Sequence, residues 1–193
     1  MNRSFRILAL VACFAATVAT TTTASAEQAT QSPGLIAGDP VGAFQVTKLG
    51  GAEDDGVDAG QTLCYRCKYG LSPMVMVFTR STDESAAKLL SKFDETIGAY
   101  QDQKLKGLVT LIGGSPAELK TQAAAIAGSL NTKHVPVVIA KDSKNGPASY
   151  KLNKDTEVTV VLINQSQVVA RHDFDVDNID PSALKHEIDA MLQ

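Results

Sequence analysis

The sequence predicts an α/β domain in which a central mixed β-sheet is flanked by helices. Three observations lead there. Met74–Thr79 (MVMVFT) is a continuous apolar run of strand length, as expected of a strand buried on both faces, and Leu108–Ile112 and Val135–Ala140 repeat that character. Between these runs lie segments whose apolar residues recur at helical intervals, so strand and helix alternate, which argues for a mostly parallel sheet. Two late runs, Glu157–Ile163 and Gln167–Phe174, are separated only by Asn164-Gln165-Ser166 and read as a hairpin that adds an antiparallel edge. A chain of 193 residues with 44% hydrophobic and 20% charged residues can bury a core of this kind.

The elements follow in chain order. Residues 1–26 read as an export signal: Arg3 and Arg6 precede an apolar stretch from Ile7 to Val18, and Ala24-Ser25-Ala26 offers a small-residue cleavage site, with cleavage after Ala26. The stretch is too short for a membrane span of about 20 residues. Leu10-Val11-Ala12-Cys13 offers a lipoprotein alternative with Cys13 as the lipidated residue, but too few apolar residues precede that cysteine. Residues 27–39 form a polar, flexible lead-in, and residues 40–193 form the domain. Val41–Leu49 reads as a strand ended by Gly50-Gly51, and Ala52–Gly60 as a Gly/Asp-rich loop. After Met74–Thr79, Ser81 and Glu84 have capping-box spacing ahead of a helix carrying Ala86, Leu89, Leu90, Phe93, Ile97 and Tyr100. Ser115-Pro116-Ala117-Glu118 opens a second helix, with Leu119, Ala123, Ile126, Ala127 and Leu130 on its apolar face. Gly146–Leu152 reads as a short helix, and Asp180-Pro181 starts a closing one with Leu184, Ile188, Met191 and Leu192.

Charge and composition narrow the function classes. Eighteen basic residues face 21 acidic ones, net −3, and loss of residues 1–26 leaves 16 basic residues and a net −5. No basic patch follows a phosphate backbone, so nucleic acid is not expected as a partner, and no transmembrane segment is expected in the processed chain. The aspartates at 173, 175, 177 and 180, with Asn178, lack the Gly and terminal Glu of a calcium loop and read as a solvated turn. Gly113-Gly114-Ser115 reads as a turn rather than a phosphate cradle, and His134, His172 and His186 as surface residues.

Export removes Cys13 and leaves Cys64-Tyr65-Arg66-Cys67, a C-x-x-C pair in a compartment where disulfides persist. The spacing suits redox exchange, in which one thiolate attacks a partner's disulfide and the other resolves the mixed disulfide. Arg66, Lys68 and Arg80 would favour the thiolate electrostatically. It also suits a structural staple, although closing so short a loop removes little unfolded-state entropy. Metal binding is the third reading, but the pair supplies only half of a four-ligand zinc site and the histidines are scattered, so neither metal nor cofactor is expected. Lys68 stands where a haem-attachment motif needs His.

The element order, with the Gly42-Ala43-Phe44 opening, the Val75–Phe78 strand, the Ser115-Pro116 helix start and Tyr150 ahead of the hairpin, resembles the thioredoxin-like superfamily over residues 40–193. More narrowly it is similar to the TlpA-like and peroxiredoxin-like (AhpC/TSA-type) branch, which inserts a strand and helix before the final hairpin. The resemblance implies catalytic cysteines just after the first central strand. Thr79–Glu84 (TRSTDE) stands there without one, and the C-x-x-C pair precedes the strand instead. The family's cis-proline before the penultimate strand is replaced by Thr156-Glu157-Val158, and neither Pro73 nor Pro136 substitutes for it. A peroxidase would need a Thr set ahead of a single Cys beyond that strand, and no such arrangement is present. The expectation is an exported, periplasmic or extracellular thiol–disulfide oxidoreductase acting on protein thiols or disulfides, with Cys64 as nucleophile and Cys67 resolving. The alternative is a non-catalytic binding or assembly module in which Cys64–Cys67 is a structural disulfide.

Overall fold

The computed structural model describes residues 34–127, 132–175, 177 and 180–193. The expected leader with Cys13 and Ala26, most of the lead-in, Leu130, the side chains of Ile126 and Ala127, and Asn178 lie outside the described residues. Among those described, seven strands form one sheet: β1 (Val46–Gly50), β2 (Thr62–Leu63), β3 (Met74–Thr79), β4 (Lys106–Leu111), β5 (Val137–Ala140), β6 (Val158–Asn164) and β7 (Gln167–Phe174). Their order across the sheet is β2-β1-β5-β4-β3-β6-β7. Four α-helices accompany them: α1 (Tyr65–Tyr69), α2 (Glu84–Ala99), α3 (Pro116–Ala127) and α4 (Pro181–Leu192).

Parallel pairing is confined to β3, β4 and β5; β1 runs antiparallel to β5, and β6 joins antiparallel to β3. The sheet is therefore mixed, as the sequence predicts, with parallel pairing a smaller share of it than the alternation of strand and helix suggests. The helical crossovers α2 and α3 join only these three strands, and parallel neighbours need such a crossover.

Alternation along β3 sorts the core into two layers. Val75 and Val77 face α2, α3 and α4, where they pack with Ala86, Leu90, Phe93, Ile97, Leu119, Ile188 and Met191. Met74, Met76 and Phe78 face the other way and pack with Val41, Tyr65 and Tyr150. Among the described residues no long helix covers this second layer. The predicted helix at Gly146–Leu152 is a single 3-10 turn, Ala148–Tyr150. The layer is closed by that turn, by α1 and by the N-terminal segment.

That segment explains why the predicted strand Val41–Leu49 shortens to β1. Its first residues pair with the β7 edge: Gly38 N donates to Val168 O, Val168 N to Asp39 O, and Val41 N to Ser166 O. The chain then crosses the second face to the opposite half of the sheet. Phe44 packs on Phe78 and Tyr150 at ring-centroid distances of 5.9 and 5.1 Å, and Tyr150 OH donates to Gly42 O at 3.0 Å. Residues 41–45 are spent on this crossing and cannot also pair in a ladder.

Two capping expectations separate. At α3 the predicted box is present: Ser115 N donates to Glu118 Oε2 (2.8 Å) and Glu118 N to Ser115 Oγ (3.3 Å). At α2 the cap is Asp83 rather than Ser81; its Oδ1 accepts from Ala86 N at 2.9 Å. Ser81 is held one turn earlier, where its N donates to Thr79 Oγ1 and its carbonyl accepts from the same hydroxyl. The hydrogen bond from Ala86 N holds the Asp83 carboxyl below its ordinary pKa.

Asp83→Ala should cost about 1 kcal/mol in chemical denaturation at neutral pH. Because folding lowers the Asp83 pKa, its contribution is present above the unfolded carboxylate pKa of about 3.9 and is lost as pH falls through the lower folded value. The gap between wild type and Asp83→Asn in urea titrations should accordingly close on acidification, and a gap that widened would contradict the cap.

Candidate functional site: a disulfide on a buried ion-pair platform

The site begins with a lysine in a strand. Along β1, Val46 and Lys48 point into the second layer, and Lys48 is only 3% exposed. An ammonium has three N–H donors. Here all three are satisfied by the loop that follows: Lys48 Nζ donates to Ala52 O (3.0 Å), Val57 O (2.8 Å) and Asp55 Oδ1 (2.9 Å). The same carboxylate accepts from Val57 N at 2.8 Å and, through Oδ2, from Tyr65 OH at 2.6 Å. Tyr65 is the second residue of the C-x-x-C motif and is buried. Burial, then its bond to the ionised Asp55, raises its phenol pKa, so it stays a protonated donor. Lys48, Asp55 and Tyr65 thus bind strand, loop and motif into one buried unit.

Cys64 is the N-cap of α1, and its Sγ accepts from Cys67 N at 3.1 Å. The two cysteines form a disulfide with Cα atoms 5.2 Å apart. Cys64 is half-buried and Cys67 exposed. Gly70 ends the helix at φ 62°, a left-handed conformation that suits glycine, and its N–H donates to Arg66 O. Tyr65 and Tyr69, four residues apart, pack their rings together at 5.4 Å, and Lys106 Nζ lies over the Tyr69 ring at 5.8 Å. Burial raises the Tyr69 phenol pKa as well.

The basic residues named from sequence separate in space. The Arg66 charge acts on the Tyr150 hydroxyl, countering the upward shift that burial imposes on that phenol. Lys68 instead lines an open cleft of about 420 Å³ with Ala52, Asp54, Asp55, Tyr69, Ser72, Gln101, Lys106, Lys133 and His134. Arg80 donates to Lys144 O (3.0 Å) and Asn153 O (3.3 Å), so its guanidinium braces two loops and is not free to serve the cysteines. The histidines are only partly the surface residues expected. His186 is exposed, but His172 pairs with Glu187 at 2.6 Å, and His134 is half-buried with Nδ1 against Gln101. At the usual catalytic position of such a fold, Thr79, Ser81 and Asp83 bond one another and the α2 backbone. Among the described residues no cis peptide occurs, in keeping with Thr156-Glu157 ahead of β6.

Sequence reasoning did not find Lys48, Asp55 or Tyr65, nor α1 itself. One signal was present: in VTKLG, period-2 alternation puts a lysine on the same face as Val46, and a buried lysine demands an acidic partner nearby.

Neither a protein-family model nor a curated protein sequence matches the chain. Solved structures do match in fold. A putative thiol:disulfide interchange protein DsbE from Chlorobium tepidum superposes with TM-score 0.62 at 15% identity, covering 82% of this chain and 99% of its own. Mycobacterium tuberculosis AhpC gives 0.60 at 18% identity over 82% and 93%. A thiol:disulfide interchange protein from Bacteroides sp. gives 0.58 at 14% over 82% and 91%. The chain has the thioredoxin-like fold that these proteins share.

Removing the buried carboxylate tests what holds the motif. Asp55→Ala leaves the Lys48 charge unpaired and should cost about 3–5 kcal/mol in urea unfolding. Replacing both cysteines by serine should cost about 2 kcal/mol or less, the entropy of so short a loop. The reverse ranking would mean that the disulfide, not the ion pair, secures α1.

Proposed function

We propose that this chain is a thiol–disulfide oxidoreductase that acts through Cys64 and Cys67 on the thiols or disulfides of other proteins. The observation that carries this reading is the disulfide at the N-cap of α1, with Cys67 exposed and the motif's own tyrosine anchored beneath it. A bridge over two intervening residues does little for stability where Tyr65, Asp55 and Lys48 already tie the segment down. The export signal read at residues 1–26 supports a periplasmic or extracellular setting, where exchange with protein disulfides has substrates.

In the reduced protein the Cys64 thiolate accepts the Cys67 N–H, the bond its sulfur accepts in the oxidised form, and the Arg66 and Lys68 charges favour it further. It attacks one sulfur of a client disulfide; the client's S–S bond breaks and its other sulfur leaves as a thiolate. Cys67, deprotonated, then attacks Cys64 Sγ in the mixed disulfide and expels the second client thiolate. The client gains two electrons and the Cys64–Cys67 pair loses two; run backwards, the same steps oxidise a client dithiol.

The second reading, a binding module with a structural disulfide, draws on the displacement of the motif from the α2 N-terminus and on the missing proline. Equilibration with glutathione separates the two. The redox reading predicts a potential above about −300 mV, whereas a structural bridge lies below it and resists reduction. Cys67→Ser should accumulate a mixed disulfide with a client, and Cys64→Ser should not; trapping on Cys67 instead would reverse the assigned order.

A further inference from the structure

The cleft lined by Lys68 and Tyr69 of α1 is a local inversion of the protein's charge. The whole chain is net −3, yet Lys68, Lys106 and Lys133 all line this one depression, with His134 and Gln101 on its wall. The three lysines are exposed, and among the described residues none is held in an ion pair. Two carboxylates also line it. Asp55 is already engaged by Lys48, Val57 N and Tyr65 and adds no free charge. Asp54 remains, so three ammonium groups meet a single exposed carboxylate.

The cleft is built rather than incidental. Asp94 of α2 accepts the backbone N–H groups of Lys133, His134 and Val135 at 3.0, 2.8 and 2.9 Å, fixing the loop that presents Lys133. The His134 ring lies against Gly98, where any side chain would meet it at 2.6 Å. Opposite, Lys106 rests over Tyr69. Lys68, the residue after Cys67 on α1, lines the cleft, so the cleft adjoins the C-x-x-C segment through that residue.

We infer that this cleft docks carboxylates flanking the thiol or disulfide that the Cys64–Cys67 pair exchanges with, so that the preferred partners are cysteines in acidic surroundings. The inference rests on the redox reading and names its substrate class. Fixed cations around a depression raise the local concentration of an anionic partner and its encounter rate, an effect that salt suppresses. A carboxylate one to three residues from the partner's cysteine reaches the cleft while the cysteine meets the disulfide, since an extended chain advances about 3.3–3.6 Å per residue.

The test uses three short peptides, each with one cysteine flanked by glutamates, glutamines or lysines, together with glutathione. Their rates of reaction with the oxidised protein are measured at low and high salt. The glutamate peptide should react about tenfold faster than the lysine peptide at low salt, and high salt should narrow the difference. Lys106→Glu combined with Lys133→Glu should reverse the preference. Equal rates for all three peptides, in protein that does react, would overturn the docking site and leave the redox reading standing. Glutathione faster than the glutamate peptide would overturn the docking of an acidic polypeptide; the opposite order supports it. A glutamate peptide with serine in place of cysteine keeps the test independent of exchange. It should shift the backbone amide resonances of Lys106, Lys133 and His134 in a low-salt NMR titration, and absence of those shifts overturns the inference even if no peptide reacts.

Discussion

A lysine ammonium buried at 3% exposure is tolerable only when every one of its protons has an acceptor, and much of the second face of this protein follows from meeting that demand. Lys48 cannot reach solvent from its place on β1. The loop after β1 therefore folds back so that Ala52 O, Val57 O and Asp55 surround Nζ. Folding back places the second Asp55 oxygen where the Tyr65 hydroxyl can reach it. With Tyr65 fixed, the cysteines on either side of Arg66 and Tyr65 have a defined seat, and α1 becomes part of the layer over β3 instead of a stray turn. Taking away one partner of such a pair is far more damaging than never having had it, because a bare charge stays behind.

This arrangement also accounts for the displaced motif. A thioredoxin-like sheet offers the N-terminus of the helix after its first central strand as the ready place for a reactive cysteine. Here that place is filled by Thr79, Ser81 and Asp83, whose polar atoms bond one another and the helix backbone. The cysteines instead use a five-residue helix packed on the second face, where the Cys64 N-cap sulfur faces the N–H of Cys67. The second face has room for α1 because the segment before the hairpin makes only a 3-10 turn there.

How far the sequence discloses this depends on the range of the interactions. The strands β3, β4 and β6, the helices α3 and α4 with their Ser115 and Asp180 starts, and the late hairpin were legible because apolar periodicity and capping are local patterns. The shortened first strand, its antiparallel pairing with β5 and the Lys48–Asp55–Tyr65 unit were not, because each depends on partners brought together by the fold. Val41 bonds Ser166, 125 positions later, and no local window contains both. The Asp83 cap illustrates a nearer limit: Ser81 has the right spacing, but its hydroxyl accepts from Asp83 N and Asp83 takes the cap. Within the site, Cys64 and Cys67 stood out by type and spacing, whereas Asp55 looked like one of several loop aspartates until its neighbours were placed.

On this reading the buried ion pair, rather than the disulfide, holds the cysteine segment on the sheet. Native-state hydrogen exchange of the α1 amides, compared between the oxidised and fully reduced protein, tests it most directly. The account predicts that the Lys68 and Gly70 amides, which donate to Cys64 O and Arg66 O, keep their protection to within about tenfold after reduction. Loss of protection at both on reduction, with the rest of the sheet unchanged, would contradict it.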